Sequence, residues 1–271
     1  MSAADGIKQY TVRATPEAQE AGAVALAVAS LPESFGPAAG NNQSDVHVIS
    51  GQPGWTAEAA EAITAGARGV LVVNPAPEGV ETLAVAAARH NTVVVLDQRW
   101  ASNPAIPAAE DAVRSMSGRA ALLDTVATAA VGTDSGELFA DHLAAVVRIA
   151  GPLANLRHLS RGPHGYTTTA VLANGAPVAI QGVVTNARPA ALDFSLLTDD
   201  GGVSVTLPEP VAAWPAMVKV TGPQGELLLP TIYESAHRAT WRRLKEHLDA
   251  GSNSSDLHRF AAHTESITAL S

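Results

Sequence analysis

The sequence predicts an α/β protein in two parts: a domain built on a parallel sheet, followed by an α+β domain with a large open antiparallel sheet. Short apolar segments alternate with helical patterns up to residue 97, which is typical of parallel βαβ units covered by helices on both faces. From residue 154 to residue 230, strand-like segments follow one another with glycine-containing turns between them. At 271 residues the chain is long enough for two lobes, which we expect at 1–105 and 106–271.

The first element that the sequence predicts is a helix beginning after Thr15. Thr15 supplies an N-cap hydroxyl, Pro16 stands where a backbone N–H has no helical partner, and Glu17 faces the positive end of the helix dipole. We expect the helix to end near Ala29 and the Gly-, Ser- and Asn-rich residues 33–44 to form a loop. Further patterns predict, in order, strand 45–50, helix 56–68, strand 69–73, helix 79–90 and strand 92–97.

The second half is predicted to begin with two helices that flank a strand. The helices are expected at 107–117 and 136–150, and the strand at 121–127. About six strands are expected between Ala154 and Pro230, with Asn174-Gly175 as the strongest hairpin signal. Two further helices, 233–248 and 256–269, are expected to end the chain.

Composition argues against several functional classes. With 17 Lys and Arg against 26 Asp and Glu, the formal charge of -9 repels phosphate backbones, so we expect no nucleic-acid partner. The absence of cysteine excludes disulfides and thiolate metal sites, and the histidines show no metal-ligand spacing, so no metal site is predicted. The first residues lack the basic and apolar segments of a signal peptide, and the longest apolar run, 21–31, is about half of the ~20 residues that cross a bilayer. We therefore expect a cytoplasmic protein without a membrane partner.

Five strings, in order along the chain, carry a resemblance to one known family. They are DVHVIS (45–50), AITAGARGVLVVNPAP (62–77), VVVLDQRW (93–100), DHLAAVVRIAG (141–151) and VTGPQGELLL (220–229). They are similar to the strands and motif regions of the Gfo/Idh/MocA oxidoreductases, and the resemblance covers about residues 45–270. It implies an incomplete, truncated Rossmann-like domain followed by the α+β domain of sugar and polyol dehydrogenases, with its antiparallel sheet.

The chemistry that the resemblance implies needs residues that this chain largely lacks. In the family, a nicotinamide cofactor takes hydride from a sugar or polyol carbon. A Lys from a Glu-Lys-Pro motif and a His followed by an Asp one turn later handle the hydroxyl proton. Here Asn74 stands at the Lys position and Ala145 at the Asp position, and His142 alone falls where the catalytic His would be. No GxGxxG precedes Asp45, so the backbone cradle for a dinucleotide is absent and the first βα unit is expected to be shortened or missing.

His142 is a candidate catalytic residue and four other residues are candidates for a ligand cleft, and each also has a structural interpretation. His142 is a relic or weak catalytic group, or else a half-buried histidine. Asn74 contacts a ligand, or is a strand-end turn residue that the following proline holds extended. Arg99 and Trp100 present a cation and an aromatic face to a sugar, or the Arg pairs with an acid. Trp55 fills the space of a nicotinamide, or packs at a helix start. No residue is predicted to bind a cofactor.

Three functions remain open from the sequence. The first is a non-catalytic partner, regulatory subunit or sugar-ligand binder without a cofactor. It would associate through the antiparallel sheet with a second copy or with an active homologue. The second is an active NAD(P)-dependent sugar or polyol dehydrogenase that acts on CH–OH groups with an atypical cofactor site. The third is a ligand-sensing repressor that works through protein contacts, as a fungal galactose-pathway regulator of this fold does.

Overall fold

The computed structural model describes residues 9–39, 44–211, 213–268 and 270. Contacts divide them into two compact units. The first contains the described residues up to Asp97 together with His237–Ala262, and the second contains Gln98–Ala236 and the described residues from His263 onward. Along the chain, the first change from one unit to the other falls between Asp97 and Gln98. The N-terminal segment on which the signal-peptide prediction rests, residues 40–43 of the predicted loop and Ala269 of the last predicted helix lie outside the described residues.

The first unit is built on a five-stranded parallel sheet. Its strands are β1 (Tyr10–Ala14), β2 (Phe35–Pro37), β3 (Val46–Ser50), β4 (Gly69–Val73) and β5 (Val93–Asp97), in the order β2-β1-β3-β4-β5. The last three are the strands that the sequence predicts. The first βα unit is not missing but shortened, because β1 and β2 are both present and pair with each other. The three residues of β2 lie within the segment that was expected to be loop.

The single helix predicted from Thr15 to Ala29 is two short helices, α1 (Pro16–Ala21) and α2 (Val24–Ala29). Ala23 between them adopts a left-handed conformation with φ 45°. Gly22, beside the break, packs closely on β4, since a Cβ there would lie only 2.8 Å from Cγ2 of Val73. A larger residue at this position would collide with the sheet.

Helices cover both faces of this sheet, as continuous apolar strands require. The helices are α3 (Trp55–Thr64), α4 (Glu81–His90), α7 (Ala236–Ala250) and α8 (Asp256–Thr268) together with α1 and α2. One core joins α1, α2 and α7 to the sheet, with Trp241 as its largest side chain. The other joins α3, α4 and the first turns of α8, with Trp55 and Phe260 at its centre. The sequence did not predict that the C-terminal segment returns to the first unit.

The second unit contains α5 (Ile106–Met116), α6 (Ser135–Ala150) and an eight-stranded sheet. The strands are β6 (Leu122–Ala129), β7 (Ala154–Gly162), β8 (Gly165–Val171), β9 (Pro177–Val184), β10 (Ala191–Leu197), β11 (Gly202–Pro208), β12 (Met217–Gly222) and β13 (Gly225–Leu228). Their order is β13-β12-β11-β10-β6-β9-β8-β7, and every pair is antiparallel except β6 with β9. The broad sheet is therefore confirmed, with seven strands after residue 154.

The sheet of the second unit buries one face against its helices. Along β10, Leu192, Phe194 and Leu196 are buried in the core with α5 and α6, whereas Asp193 and Ser195 point to the opposite face and are half-exposed. This alternation is the pattern of an antiparallel sheet with one covered face. None of the helices in the described part of the chain combines the length and apolarity needed to cross a membrane.

Candidate functional site

The carboxyl edge of the parallel sheet is the first candidate site, because ligands of open α/β sheets bind outside the carboxyl ends of the strands. Thr15 follows β1, Gly51 follows β3 and Asn74 follows β4, while Asp97 is the last residue of β5. In a dinucleotide-binding domain of this topology, the pyrophosphate lies at the N-terminus of the helix after β1. The start of α1 is therefore the place to test for a cofactor site.

The N-terminus of α1 offers few backbone donors to an anion. Thr15 Oγ1 accepts the N–H of Ala18 at 3.2 Å, and Pro16 has no N–H. Among the first three helical residues, only Glu17 therefore keeps a backbone N–H for a ligand, and its own side chain is a carboxylate. A dinucleotide site instead needs several free N–H groups and glycines that let the phosphates approach.

Further carboxylates lie near this helix start. The pKa of Glu58, on α3, is raised by burial and by the negative charges of Glu17 and Glu61. Three carboxylates therefore interact where a pyrophosphate would bring two more negative charges. The two described residues after β2, Ala38 and Ala39, supply no carboxylate for a ribose hydroxyl. The residues around α1 do not fit a dinucleotide.

Asn74 lies exposed at the end of β4, in a left-handed conformation with φ 50°. The extended geometry expected before a proline is wrong at this position, and asparagine is among the few residues that adopt the left-handed one readily. The Asn74 N–H donates to the carbonyl of Asp97 at 2.9 Å. Gly51 approaches so closely that a Cβ there would lie 2.4 Å from the Asn74 carbonyl oxygen. The neighbouring strand ends thus hold the backbone of Asn74, while its side-chain amide is exposed and can contact a ligand.

The structure places Trp55 in the core of the first unit. Its side chain is 1% exposed, its Nε1 donates to the carbonyl of Ala76 at 2.9 Å, and its ring meets Phe260 edge-on at 5.7 Å. It is the first residue of α3, so its position matches the helix-start interpretation.

Arg99 and Trp100 lie in the second unit. Trp100 is fully buried, so its ring has no face open to a sugar. The guanidinium of Arg99 lies over that ring at 5.0 Å and its Nη2 is 3.5 Å from Oε1 of Glu209. Arg99 therefore has the acidic partner that its structural interpretation requires, and its side chain remains partly exposed.

The structure buries His142 completely, between α6 and the sheet of the second unit. Its Nε2 lies 2.8 Å from Thr125 Oγ1 and its Nδ1 lies 2.8 Å from the hydroxyl of Tyr166. Burial lowers the pKa of His142 to about 3, so the ring is neutral at ordinary pH. The expectation of a half-buried ring is corrected to a fully buried one, because two polar partners inside the core satisfy both nitrogens.

Asp141, which the sequence analysis did not single out, is the most perturbed carboxyl of the second unit. Burial raises its pKa to about 7, although the nearby charge of Arg99 lowers it and Glu137 adds to the rise. Among the described residues, none forms a hydrogen bond with its carboxyl group. Such a carboxyl is typical of functional sites. The signal was present in the sequence, since Asp141 is the one acid in the mostly apolar stretch 138–150.

No protein-family model and no curated protein matches the sequence. Solved structures do match, over almost the whole chain. A D-galactose-1-dehydrogenase from Rhizobium etli is 15% identical, with a TM-score of 0.69 over 100% of this chain and 96% of that one. A variant of the 3-ketoreductase KijD10 from Actinomadura kijaniata, in complex with TDP-benzene and NADP, is 14% identical with a TM-score of 0.72, covering 97% of each chain.

A third similar structure is the UDP-N-acetylglucosamine 3-dehydrogenase GnnA from Acidithiobacillus ferrooxidans, 13% identical with a TM-score of 0.69 over 97% of each chain. These are oxidoreductases of the Gfo/Idh/MocA type, and this chain has their two-domain fold. At such identities the likeness concerns the fold, and the function has to be argued from the residues of the sites.

Proposed function

We propose that this chain is a non-catalytic protein on the Gfo/Idh/MocA fold, which binds a sugar- or polyol-like ligand without a nicotinamide cofactor. One observation carries the proposal: the start of α1, where a cofactor's pyrophosphate would lie, is occupied by the Thr15 cap, Pro16 and the carboxylate of Glu17. NADP is bound in the similar KijD10 structure. The residues of this chain do not fit that cofactor.

Electrostatics supports the same conclusion. The pKa of Glu58 is raised by burial and, beyond that, by the negative charges of Glu17 and Glu61. A pyrophosphate at this place would add to the repulsion without gaining the backbone hydrogen bonds that normally offset it. We therefore derive no reaction step through a nicotinamide.

The proton-transfer groups of a dehydrogenase are also lacking. Asn74 offers an amide, which does not exchange a proton near neutral pH. His142 has both nitrogens bonded inside the core. A hydroxyl group of a bound polyol would therefore meet neither the lysine nor the histidine that removes its proton in an active enzyme.

Polar side chains that keep hydrogen-bonding capacity support the binding of a ligand. The exposed amide of Asn74 can donate to and accept from hydroxyl groups. In the second unit, the carboxyl of Asp141 and the guanidinium of Arg99, whose charge lowers the pKa of that carboxyl, can each hydrogen-bond hydroxyl groups. Each of these groups keeps hydrogen-bonding capacity for a hydroxylated small molecule.

Association through the antiparallel sheet is part of the proposal. The face of this sheet opposite α5 and α6 carries half-exposed residues such as Asp193 and Ser195 on a broad surface of eight strands. A second copy or an active homologue would pack on it. Size-exclusion chromatography with light scattering, for the chain alone and mixed with an active homologue, measures both forms of assembly, and a monomer in both would reject this part.

A second candidate is an active NAD(P)-dependent dehydrogenase with an atypical cofactor site. Two observations favour it: the similar structures are sugar dehydrogenases and a ketoreductase, and Asp141 has a pKa of about 7, suited to accepting a proton. In this candidate Asp141, and not His142, would accept the hydroxyl proton.

Calorimetric titration with NAD⁺, NADP⁺ and their reduced forms separates the two candidates. We expect no saturable heat at millimolar cofactor and no reduced cofactor formed when sugars and polyols are added. Micromolar binding together with cofactor reduction would reject the non-catalytic proposal and establish the second candidate.

A further inference from the structure

A buried Asp–His pair lies at the end of β5, and the proposed function does not yet use it. Asp97 is 1% exposed and His237, in the first turn of α7, is 4% exposed. His237 Nδ1 lies 2.5 Å from Oδ2 of Asp97, and the Thr240 hydroxyl donates to Oδ1 at 3.1 Å. All three residues belong to the first unit.

The pair leaves one imidazole nitrogen available. The Asp97 carboxylate accepts, so the proton on Nδ1 points to it, and the histidine presents Nε2 on its other side. Among the residues that the structure describes, none is hydrogen-bonded to Nε2. A histidine held by a carboxylate through one nitrogen, with the other nitrogen open, is the arrangement that proteins use to aim an imidazole at a ligand.

Anchoring α7 to the sheet does not require this pair, because a separate set of contacts already does so. Asp256 Oδ2 accepts the N–H of Leu96 at 2.9 Å, and Arg243 donates to the Leu96 carbonyl at 3.1 Å. Arg243 and Asp256 also form an ion pair at 2.8 Å. Burying a second carboxylate one residue further along β5 costs desolvation free energy. Orienting His237 towards a ligand would account for a buried carboxylate at this position.

The pair also lies at the edge where a ligand is expected. The carbonyl of Asp97 accepts the N–H of Asn74 at 2.9 Å, so the ends of β4 and β5 are joined directly. The exposed amide of Asn74 and the oriented imidazole of His237 are therefore attached to adjacent strand ends of one sheet. Carboxyl ends of adjacent parallel strands are where open α/β sheets bind ligands.

We propose that His237, oriented by Asp97, is a ligand-contacting residue, and that its Nε2 hydrogen-bonds a hydroxyl group of a sugar or polyol bound beside Asn74. This inference rests on the proposed function and specifies its ligand site in the first unit. Recognition needs a hydrogen bond only, so no bond of the ligand is broken. Thr240 and Asp97 are positioning residues for the imidazole.

The test uses D-galactose and myo-inositol as probes, with calorimetry for affinity and imidazole ¹⁵N NMR for the contact. On addition of a binding probe to the full chain, we expect the Nε2 resonance of His237 to shift and those of the buried His142 to stay. His237→Gln is expected to weaken binding about tenfold, the effect of losing one good hydrogen bond. Thr240→Val keeps the imidazole and its bond to Asp97, and we expect it to change the affinity by less than about threefold.

The outcomes separate this inference from the proposal on which it rests. A probe that binds the wild-type chain and His237→Gln equally, with no shift at His237, overturns the inference and leaves ligand binding intact. If neither probe binds the wild-type chain, ligand binding as proposed fails and the inference fails with it. If His237→Gln does not fold, as judged by circular dichroism, the NMR shift in the wild-type chain decides.

Discussion

The hydroxyl of Thr125 donates to the carbonyl of Asp193 at 2.9 Å, so it must accept the hydrogen bond from Nε2 of His142. The proton of the neutral ring is thereby assigned to Nε2, and Nδ1 accepts from the hydroxyl of Tyr166. The histidine that the family resemblance marks as catalytic is in this chain an internal link between α6 and two strands. Because both of its nitrogens are hydrogen-bonded in the core, we expect substitution of His142 to lower the stability of the fold.

Tyr166→Phe tests that link. The substitution leaves Nδ1 of His142 as a buried acceptor without a partner, so we expect a loss of about 1–3 kcal/mol in the free energy of unfolding. Urea denaturation followed by circular dichroism measures it. Tyr233→Phe removes the hydroxyl of an exposed tyrosine and is expected to change stability by less than about 0.5 kcal/mol. Equal effects of the two substitutions would contradict the network.

The protonation of His142 predicts how stability depends on acid. Its pKa is about 3 in the folded chain, against an ordinary value of 6.5, so the unfolded chain binds the proton first as pH falls. The contribution of the neutral ring to the free energy of unfolding is fully present above pH 6.5. It is lost towards pH 3, at a rate of at most about 1.4 kcal/mol per pH unit for one group. His142→Gln cannot take up this proton, so the stability difference between the wild type and this variant should narrow as pH falls from neutral. A constant difference would contradict the buried neutral ring.

In the first unit, the sequence predicted the three strands with mostly apolar, β-branched runs, β3, β4 and β5, and it missed β1 and β2. All residues of β4 and β5 are buried, and their continuous β-branched runs identify them. In β1, Thr11 and Arg13 alternate with buried residues, and β2 has only three residues, including Gly36 and Pro37. The alternation in β1 is a local strand pattern that was overlooked, whereas β2 is too short for such a pattern and forms by pairing with β1.

Only those features of the candidate site that depend on residues close together in the sequence were predictable. The lack of a glycine-rich loop could be read directly from the residues after β1, and the structure adds how Thr15 and Pro16 use up or lack the helix N–H groups. The partners of His142 lie 17 and 24 residues away, and His237 lies 140 residues from Asp97. No spacing rule relates residues so far apart, so burial and pairing of these groups required the fold.

Restoring donors at the start of α1 should create weak cofactor binding. In the double variant Pro16→Ala, Glu17→Gln, a backbone N–H is regained and a carboxylate is removed where a pyrophosphate would lie. We therefore expect NADPH binding, undetectable in the wild-type chain, to become measurable. Fluorescence titration of NADPH measures it. Glu246→Gln removes an exposed acid on α7 and should change nothing, which separates the local effect from that of net charge. No gain in the double variant would show that the helix start is not what excludes the cofactor.

Asp141→Asn is expected to stabilise the chain above neutral pH. The folded pKa of about 7 lies above the ordinary 3.8, so the contribution of this group is fully present below pH 3.8 and is lost as pH rises to 7. At pH 8 the wild-type chain therefore carries an ionised, poorly solvated carboxylate, and the amide should raise the free energy of unfolding by about 1–3 kcal/mol. The gain should shrink towards pH 4, opposite in sign to the His142 effect.

Glu246→Gln makes the same change of charge at an exposed position on α7, and Glu246 is not among the groups that shift the pKa of Asp141. We expect it to alter stability by less than about 0.5 kcal/mol. Urea denaturation at pH 4 and at pH 8 measures the free energy of unfolding of both variants and of the wild type. If Asp141→Asn gained no stability at pH 8, the raised pKa of Asp141 would be contradicted.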